Sequence, residues 1–258
     1  MSTIAILNAN PSKEELKQWG SFADMAIEMF EATRSDFLVS KVDYEVYNVY
    51  DNEFPTILEL CKGGCLGLYI TGSTSDAYTV GIDWIDKLRK FLRSLLENSA
   101  HPPISGICFG HQIFASALGS EVRRNPNGYE GGITRLKITK DALKLGLFQK
   151  PATSLPSYNF YASESHSDVV ENVPEGYINI LTSEKCEVQG LYKRNVALTF
   201  QGHPDFLTEV CIKCNEATYN RGEIGVDELI RIKESGKEHI NDGRFLATFI
   251  WKLFTKLV

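Results

Sequence analysis

One cysteine in this chain stands where a nucleophile could be held exposed. Cys108 has a glycine two residues before it (Gly106) and another two residues after it (Gly110), and the following segment Gln112–Leu118 has the pattern of a helix. Such glycines allow a sharp strand-to-helix turn, and the start of a helix favours a thiolate over a thiol. We therefore predict a nucleophile elbow at Cys108; the alternative is a buried structural cysteine, which needs neither glycine.

A cysteine nucleophile requires a base, and His203 is the best placed of the five histidines, which also include His101, His111, His166 and His239. It follows an apolar strand-like run and is itself followed by Pro204, which ends the strand. Asp205 can accept a hydrogen bond from the second ring nitrogen of His203. These residues predict a nucleophile, a base and an orienting carboxylate in the chain order Cys, His, Asp.

Together these segments resemble the signature of the class I glutamine amidotransferases. The resemblance rests on Gly106–Gln112 with His203–Asp205, on Tyr69–Tyr78 as strand and oxyanion loop, and on Ser163–Asp168 as the Ser-His-x-Asp segment. It covers residues 1 to 210. Within the superfamily, the chain is most similar to the stand-alone branch that includes plant γ-glutamyl peptidases and uncharacterised fungal amidotransferase-like proteins.

The resemblance implies a role for each member of the triad. Cys108 is the nucleophile, His203 the general base and acid, and Asp205 the orienting carboxylate. Asp205 departs from the family pattern, which has glutamate there. Aspartate is one methylene shorter, so either the backbone comes closer or the histidine is held less firmly, and we expect a lower rate with the same mechanism.

The resemblance also implies the residues around the triad. Gly72 and Phe109 would supply the backbone N–H groups of an oxyanion hole. Gln112 would meet the amino-acid end of a glutamyl substrate, and His166 would form a pocket wall in a loop. The alternatives are a turn glycine at Gly72, a solvated glutamine at Gln112 and an ordinary polar turn around His166. For His111, next to the elbow, we expect a ring that points away from Cys108 and packs or caps.

The implied chemistry is hydrolysis of a γ-glutamyl amide through a γ-glutamyl thioester on Cys108. Ammonia as the leaving group would make the protein a glutaminase, the first half-reaction of an amidotransferase, whose synthase partner would be another polypeptide. An amino acid or a Cys-Gly peptide would make it a γ-glutamyl peptidase acting on glutathione or its conjugates. A third alternative is a non-catalytic regulatory homologue whose cysteine senses oxidants.

The elements that must position these residues alternate between strands and helices. Such alternation predicts an α/β fold with a mostly parallel central sheet flanked by helices and a partly antiparallel second half. The resemblance implies that this is the flavodoxin-like class I glutamine amidotransferase fold. Helices are predicted at 22–33 and 84–96. Strands are predicted at 4–7, 42–49, 66–70, 132–138, 157–160, 178–182, 187–192 and 196–200. Ligands of such sheets bind at the carboxyl ends of the strands, where Cys108 is expected.

Composition is that of an ordinary enzyme. The 258 residues are 43% hydrophobic and 23% charged, with a formal net charge of −6. We expect one amidotransferase domain over residues 1–258, with a helical extension from about 206 to 258 and no separate synthase domain. The apolar segment Phe245–Phe254 is expected to close the core, and the alternative is a docking face for a partner. The lack of a basic cluster excludes nucleic acid as the default partner.

Targeting and metal signals are weak. No signal peptide or membrane span is expected, and six cysteines fit a reducing compartment, so we expect a cytoplasmic protein, with nuclear entry as an alternative. No cofactor is expected. Cys61 with Cys65 and Cys211 with Cys214 have the count of a structural zinc site, but no glycine-rich knuckle surrounds either pair, so we expect core cysteines and no metal.

Overall fold

A computed structural model describes residues 2–37, 39, 41–148 and 159–257. The strands are β1 (Ser2–Asn8), β2 (Val42–Asn48), β3 (Cys65–Ile70), β4 (Ile104–Ile107), β5 (Val122–Arg124), β6 (Glu130–Ile138), β7 (Asn159–His166), β8 (Asp168–Val170), β9 (Ile178–Thr182), β10 (Gly190–Lys193) and β11 (Ala197–Phe200). The helices are α1 (Phe22–Thr33), α2 (Ile57–Cys61), α3 (Asp83–Leu96), α4 (Phe109–Ala117), α5 (Lys140–Lys144), α6 (Thr208–Asn220), α7 (Val226–Glu238) and α8 (Gly243–Phe254). Short 3-10 turns lie at Glu14–Trp19, Arg34–Phe37 and Val49–Asp51.

The described residues form a nine-stranded sheet in the order β2-β1-β3-β4-β11-β10-β9-β6-β7. Strands β2, β1, β3, β4 and β11 pair in parallel, and the remaining neighbours pair antiparallel. The predicted architecture is therefore confirmed. The short strands β5 and β8 form a separate antiparallel pair.

Both faces of the inner parallel strands β1, β3, β4 and β11 are largely buried, so these strands are mostly apolar rather than alternating, whereas the edge strand β2 is only partly buried. In β1, Ile4 and Ile6 join the cluster formed with α1 and α8, whereas Ala5 and Leu7 join the cluster on the opposite face with α3 and α4. Helix α1 begins at a capping box in which Ser21 and Asp24 satisfy each other's backbone N–H groups.

Helix α8 is part of the core. Phe249, Trp251 and Phe254 are all fully buried, and the Trp251 indole N–H contacts the Phe30 carbonyl oxygen (3.2 Å) and the Thr33 hydroxyl (3.0 Å) of α1. A Cβ on Gly67 would lie 2.3 Å from the Phe254 ring, so β3 and α8 pack closely at that point. These aromatic side chains face the core, which argues against the docking face considered from the sequence.

Two sequence predictions need correction. The segment Ser163–His166 is not a loop but the end of β7, because it pairs antiparallel with Glu130–Ile133 of β6. The strand predicted from Glu187 begins only at Gly190. The strand predicted at 157–160 is described from Asn159 onward, and its first two positions lie outside the described residues.

Candidate active site

The carboxyl ends of three adjacent strands converge on one point. Strand β4 lies between β3 and β11, and all three run parallel. Cys108 follows β4 directly, Gly72 lies two residues after β3, and His203 lies three residues after β11. The sheet order thus brings together residues that are 36 and 95 positions apart in the chain.

Cys108 occupies the turn between β4 and α4 in a strained backbone conformation. Its φ is 52° and its ψ is −108°, in a region that side-chain-bearing residues rarely adopt. The Cys108 N–H still donates to the Phe200 carbonyl oxygen of β11 at 2.9 Å, so the strained residue is anchored in the sheet. Such a turn presents a side chain at the N-terminus of the following helix.

Close packing explains the two glycines of this turn. A Cβ on Gly106 would lie 2.5 Å from the Gly110 carbonyl oxygen, and a Cβ on Gly110 would lie 2.4 Å from the Ile70 carbonyl oxygen. Neither position has room for a side chain, because the contacting atoms belong to the backbone. The sequence analysis attributed these glycines to the turn itself, and the structure adds close contact between α4 and β3.

His203 lies beside Cys108 and is almost fully buried. Its backbone N–H donates to the Ser163 carbonyl oxygen at 2.8 Å, which ties the segment after β11 to β7. The Phe206 ring stacks on the imidazole, with ring centroids 3.8 Å apart and planes at 14°. Phe22 of α1 contacts the imidazole edge-on. The ring orientation is therefore set by packing as well as by hydrogen bonds.

Asp205 reaches the imidazole despite its short side chain. Its Oδ1 lies 3.1 Å from His203 Nδ1, within a tight turn in which the Phe206 N–H approaches the His203 carbonyl oxygen at 3.4 Å. Tyr69 of β3 is fully buried near the carboxylate, and burial together with that charge raises the pKa of the Tyr69 phenol well above 10. Asp205 thus takes up one ring nitrogen, which leaves Nε2 of His203 for other contacts.

The electrostatics of His203 favour its protonated form. Burial lowers the pKa of the imidazole, but the Asp205 carboxylate and the hydrogen-bonded Cys108 sulfur outweigh burial and raise it to about 10. An imidazole hydrogen-bonded to a cysteine on one side and a carboxylate on the other can hold a proton taken from the sulfur.

The backbone around Gly72 lies against both of these side chains. A Cβ on Gly72 would lie 2.6 Å from His203 Cε1 and 3.7 Å from Cys108 Cβ. The loop is held by the segment that follows β1, because Asn10 Oδ1 accepts from the Thr74 N–H at 3.1 Å. Phe109 is the first residue of α4, so its N–H has no partner within the helix. Both candidate oxyanion donors therefore belong to backbone that adjoins Cys108.

Gln112 and His166 line the same cavity, but the amide nitrogen of Gln112 and both ring nitrogens of His166 contact protein groups. Gln112 Nε2 donates to the Asp168 carbonyl oxygen and to Gln201 Oε1, both at 3.0 Å. His166 Nδ1 lies 3.0 Å from the same Asp168 oxygen. The two side chains thus fix the turn between β7 and β8, which forms part of the cavity wall. His111, by contrast, is fully buried beside Thr199, and burial lowers the pKa of its imidazole to about 3.

A cavity of about 480 Å³ opens above Cys108 and His203. Its wall includes Gln112 and His166, and it is also lined by Thr218 of α6, by Arg221 directly after α6 and by Lys13 of the segment before α1. This volume lies within the range of about 300–1,000 Å³ that is typical of small-molecule sites.

Charged groups of both signs line the cavity. Arg124 Nη1 lies 3.4 Å from Asp168 Oδ1, and Asp76 is near the same carboxyl group. Burial and the neighbouring Asp76 raise the pKa of Asp168 to about 6, against the opposing effect of Arg124. A zwitterionic amino-acid group could find both of its counter-charges here.

The sequence analysis missed two buried carboxylates behind this wall, Glu130 and Glu164. Both approach Nε2 of His166, at 3.1 Å and 3.3 Å respectively. Burial raises the pKa of the Glu164 carboxyl group. Burial lowers the pKa of the His166 imidazole, but the ion pairs of His166 with Glu130 and Glu164 outweigh burial and raise this pKa well above 6.5. The sequence could have shown that Glu164 lies near His166, because residues two apart in a strand share one face. No sequence pattern linked Glu130 to His166.

The four cysteines considered for zinc do not assemble. Within the described part of the chain, the one group of three or more potential ligands that share a site is Glu130, Glu164 and His166. Cys61 and Cys65 belong to α2 and β3, whereas Cys211 and Cys214 belong to α6. All six cysteines of the chain are free thiols.

Among the described helices, none is long and apolar enough to cross a bilayer.

Comparison with known proteins places this geometry in context. Residues 22–210 match the family model for glutamine amidotransferase class-I. A Saccharomyces cerevisiae protein provisionally named as a glutamine amidotransferase is 42% identical over 257 residues, covering 99% of this chain and 98% of its own length. Gamma-glutamyl peptidase 2 of Arabidopsis thaliana is 29% identical, over 91% of this chain and 88% of its own. A crystal structure of a Thermotoga maritima glutamine amidotransferase has the same fold, with a TM-score of 0.69, 18% identity and 98% coverage of both chains.

Proposed function

The chain belongs to the class-I glutamine amidotransferase family, and from that premise we propose that it hydrolyses γ-glutamyl amides with Cys108 as nucleophile. The observation that carries the proposal is the placement of Cys108 at a positive φ, at the start of α4 and beside His203. Family membership supports hydrolysis of a glutamine-like side chain, and the triad assignment goes beyond it.

In the proposed reaction, His203 Nε2 takes the proton of the Cys108 thiol, and the sulfur attacks the γ-carbonyl carbon of the substrate. The new C–S bond moves an electron pair onto the carbonyl oxygen, which the N–H groups of Gly72 and Phe109 would stabilise. His203 then protonates the departing nitrogen, the C–N bond breaks, and ammonia or an amine leaves. A γ-glutamyl thioester on Cys108 remains.

Water completes the cycle. His203 takes a proton from water as its oxygen adds to the thioester carbon, and the oxyanion forms again in the same place. Collapse breaks the C–S bond and releases glutamate, and the sulfur recovers a proton. Throughout, Asp205 would hold the imidazole in the orientation and tautomer that leave Nε2 available. No cofactor takes part in this scheme.

The substrate would bind with its amino-acid end against the wall formed by Gln112, His166 and the turn at Asp168. Because the amide nitrogen of Gln112 and both nitrogens of His166 already contact protein groups, we assign these two residues to shaping the wall. Asp168, Asp76 and Arg124 offer the charges that an α-ammonium and an α-carboxylate require.

A γ-glutamyl peptidase acting on glutathione or its conjugates is the second candidate. The cavity favours it, because its wall continues from Cys108 to Lys13 and Arg221, beyond what a leaving ammonia needs. Similarity to a plant protein named as a gamma-glutamyl peptidase supports the same choice. If glutamine is the substrate instead, a synthase subunit on another polypeptide would use the ammonia. Free cysteines support a cytoplasmic location, with nuclear entry as an alternative.

Glutamate release from glutamine and from glutathione tests the proposal. We expect the wild-type protein and a Cys61→Ser control, which changes a cysteine outside the site, to release glutamate from at least one substrate, and Cys108→Ser to release none. Turnover of glutathione alone would identify a peptidase, and turnover of glutamine alone a glutaminase. Retained turnover in Cys108→Ser would refute the nucleophile assignment. Silence of the wild type on both substrates, with oxidation of Cys108 by peroxide, would favour the redox-sensing alternative.

A further inference from the structure

Behind the cavity wall, three potential metal ligands meet in the protein interior. Glu130 lies at the start of β6, and Glu164 and His166 lie at the end of β7; the three residues are 2%, 0% and 4% exposed. One ligand atom from each lies within 4.8 Å of the others. Three such groups are seldom buried together unless something compensates their charges.

The hydrogen bonding of His166 suits a metal ligand. Nδ1 faces the backbone carbonyl oxygen of Asp168 at 3.0 Å, and a carbonyl oxygen can only accept, so Nδ1 carries a hydrogen. When the ring is neutral, its Nε2 therefore carries the lone pair, and this lone pair faces the two carboxylates. A ligating histidine commonly donates its other ring N–H to a carbonyl oxygen in this way, which fixes both its tautomer and its orientation.

The surroundings of the two carboxylates also suit metal ligands. Glu130 Oε2 accepts from Gln189 Nε2 at 2.9 Å, so this potential ligand has an outer partner. Neither oxygen of Glu164 has a hydrogen-bond partner among the described residues; Oε2 has only the 3.3 Å approach to His166 Nε2. A fully buried carboxylate whose two oxygens accept no hydrogen bond, directed at a second carboxylate and an imidazole, requires a compensating positive charge, which a bound metal ion or a proton on the imidazole would supply.

We propose that Glu130, Glu164 and His166 bind a divalent first-row transition metal ion, with Zn²⁺ or Mn²⁺ as the best match. Two carboxylates and a neutral imidazole carry two negative charges, which one divalent ion balances. A nitrogen and two oxygens suit Zn²⁺ and Mn²⁺ better than the all-oxygen sites that Ca²⁺ and Mg²⁺ prefer. This differs from the sequence-based expectation of no metal and does not depend on the proposed function.

The ion would hold the ends of β6 and β7 together directly behind the cavity wall. His166 would connect it to the turn at Asp168, which also accepts the hydrogen bond from Gln112. Its role would therefore be structural. The competing explanation is that the same three side chains share protons without a metal.

Elemental analysis of untagged protein, purified without chelator, distinguishes the two explanations. We expect about one Zn or Mn per wild-type chain, and at least a tenfold loss of bound metal in Glu164→Gln and in Glu130→Gln. Glu175→Gln makes the same chemical change at an exposed site and should retain the metal. Cys61→Ser should also retain it, which would exclude a site that uses Cys61 together with Cys65.

A second readout uses thermal unfolding of protein stripped with EDTA. Adding ZnCl₂ or MnCl₂ should raise the Tm of the wild type and of Glu175→Gln, and should leave the Tm of Glu164→Gln and Glu130→Gln unchanged; MgCl₂ should have little effect on any of them. Wild-type protein that contains no metal and takes up none after stripping would overturn the proposal. Wild-type metal content in both folded glutamine variants would overturn it as well.

Discussion

Two buried histidines lie on neighbouring segments of this molecule, and each contacts carboxylates, yet their surroundings differ in one decisive respect. His203 contacts one carboxylate through Nδ1, which leaves Nε2 on the side of Cys108. His166 has Nδ1 against a carbonyl oxygen and Nε2 against Glu130 and Glu164. The backbone bridge between Ser163 and His203 joins the two regions directly.

The difference is what separates His203, the proposed catalytic base, from a buried histidine with similar neighbours. Both sites combine imidazole, carboxylate and burial, and in both the pKa of the imidazole is raised. Of the two histidines, only His203 has a ring nitrogen, Nε2, that faces the cavity and the sulfur of Cys108. Proton transfer requires that free nitrogen, whereas a ring with both nitrogens occupied can only support a wall or bind an ion.

Replacing His203 gives the largest expected effect. His203→Gln removes the group that would accept and return the proton, and we expect kcat/KM for glutamate release to fall by about 10⁴-fold. The measurement is steady-state kinetics on whichever substrate the wild type hydrolyses. A loss of less than about tenfold would contradict the assignment of the base, and the comparison between the two histidines would fail.

Asp205 is expected to matter next. Asp205→Asn can turn its amide NH₂ toward Nδ1 and so favour the wrong tautomer, and we expect a fall in kcat of about 10³-fold. Asp205→Glu restores the usual family residue and serves as the matched control, with kcat within about tenfold of the wild type. Equal losses in both variants would mean that the tight turn from His203 to Phe206, rather than the carboxylate, is what orients the ring.

The raised pKa of His203 predicts a pH dependence of stability. The folded-state pKa of about 10 lies above the ordinary value of 6.5, so the stabilisation is fully present below pH 6.5 and is lost as the pH rises through about 10. We expect the free energy of unfolding to fall by on the order of 5 kcal/mol over this window, since each pKa unit of difference corresponds to about 1.4 kcal/mol. Denaturant unfolding at several pH values measures it.

His203→Gln is the control for this pH effect and should show a flatter dependence between pH 6.5 and 10. Asp205→Asn should flatten the curve more than Cys108→Ser does, because the Asp205 carboxylate is the larger of the two causes that raise the pKa. Cys108, Asp205 and the more distant Glu164 carry the charges that act here. An unchanged curve in His203→Gln would show that other groups titrate in this range.

The close approach at Gly72 predicts a smaller kinetic effect. An alanine Cβ would lie 2.6 Å from His203 Cε1, so the ring must shift away from Cys108, and we expect kcat to fall by about 10²-fold. Gly225→Ala is the matched control, because that position has open space and an ordinary negative φ. If both variants had wild-type kcat, the ring would not need its present position.

The sequence predicted the parts of the molecule that depend on local pattern. Helix α1 and strand β9 have the predicted bounds, and the glycine spacing around Cys108 marked the turn after β4. The converging strand ends followed from the parallel order. Glu130 could not be predicted, because its partner His166 is 36 residues away and meets it only through antiparallel pairing of β6 with β7. That same pairing turned a predicted loop into a strand.

The last prediction tests whether His166 supports the cavity wall or takes part in the reaction. His166→Gln removes the contacts to the Asp168 carbonyl oxygen and to the two glutamates, so the turn beside Gln112 loses support while Cys108 and His203 remain in place. We expect KM to rise by about tenfold and kcat to stay within about threefold, because weaker positioning of the substrate affects binding before it affects the chemical step. Steady-state kinetics on protein shown to be folded by circular dichroism measures both constants. A loss of kcat as large as that of His203→Gln would remove the distinction between the two histidines. Such a loss would require His166 to act on the reacting atoms, although both of its ring nitrogens face other protein groups.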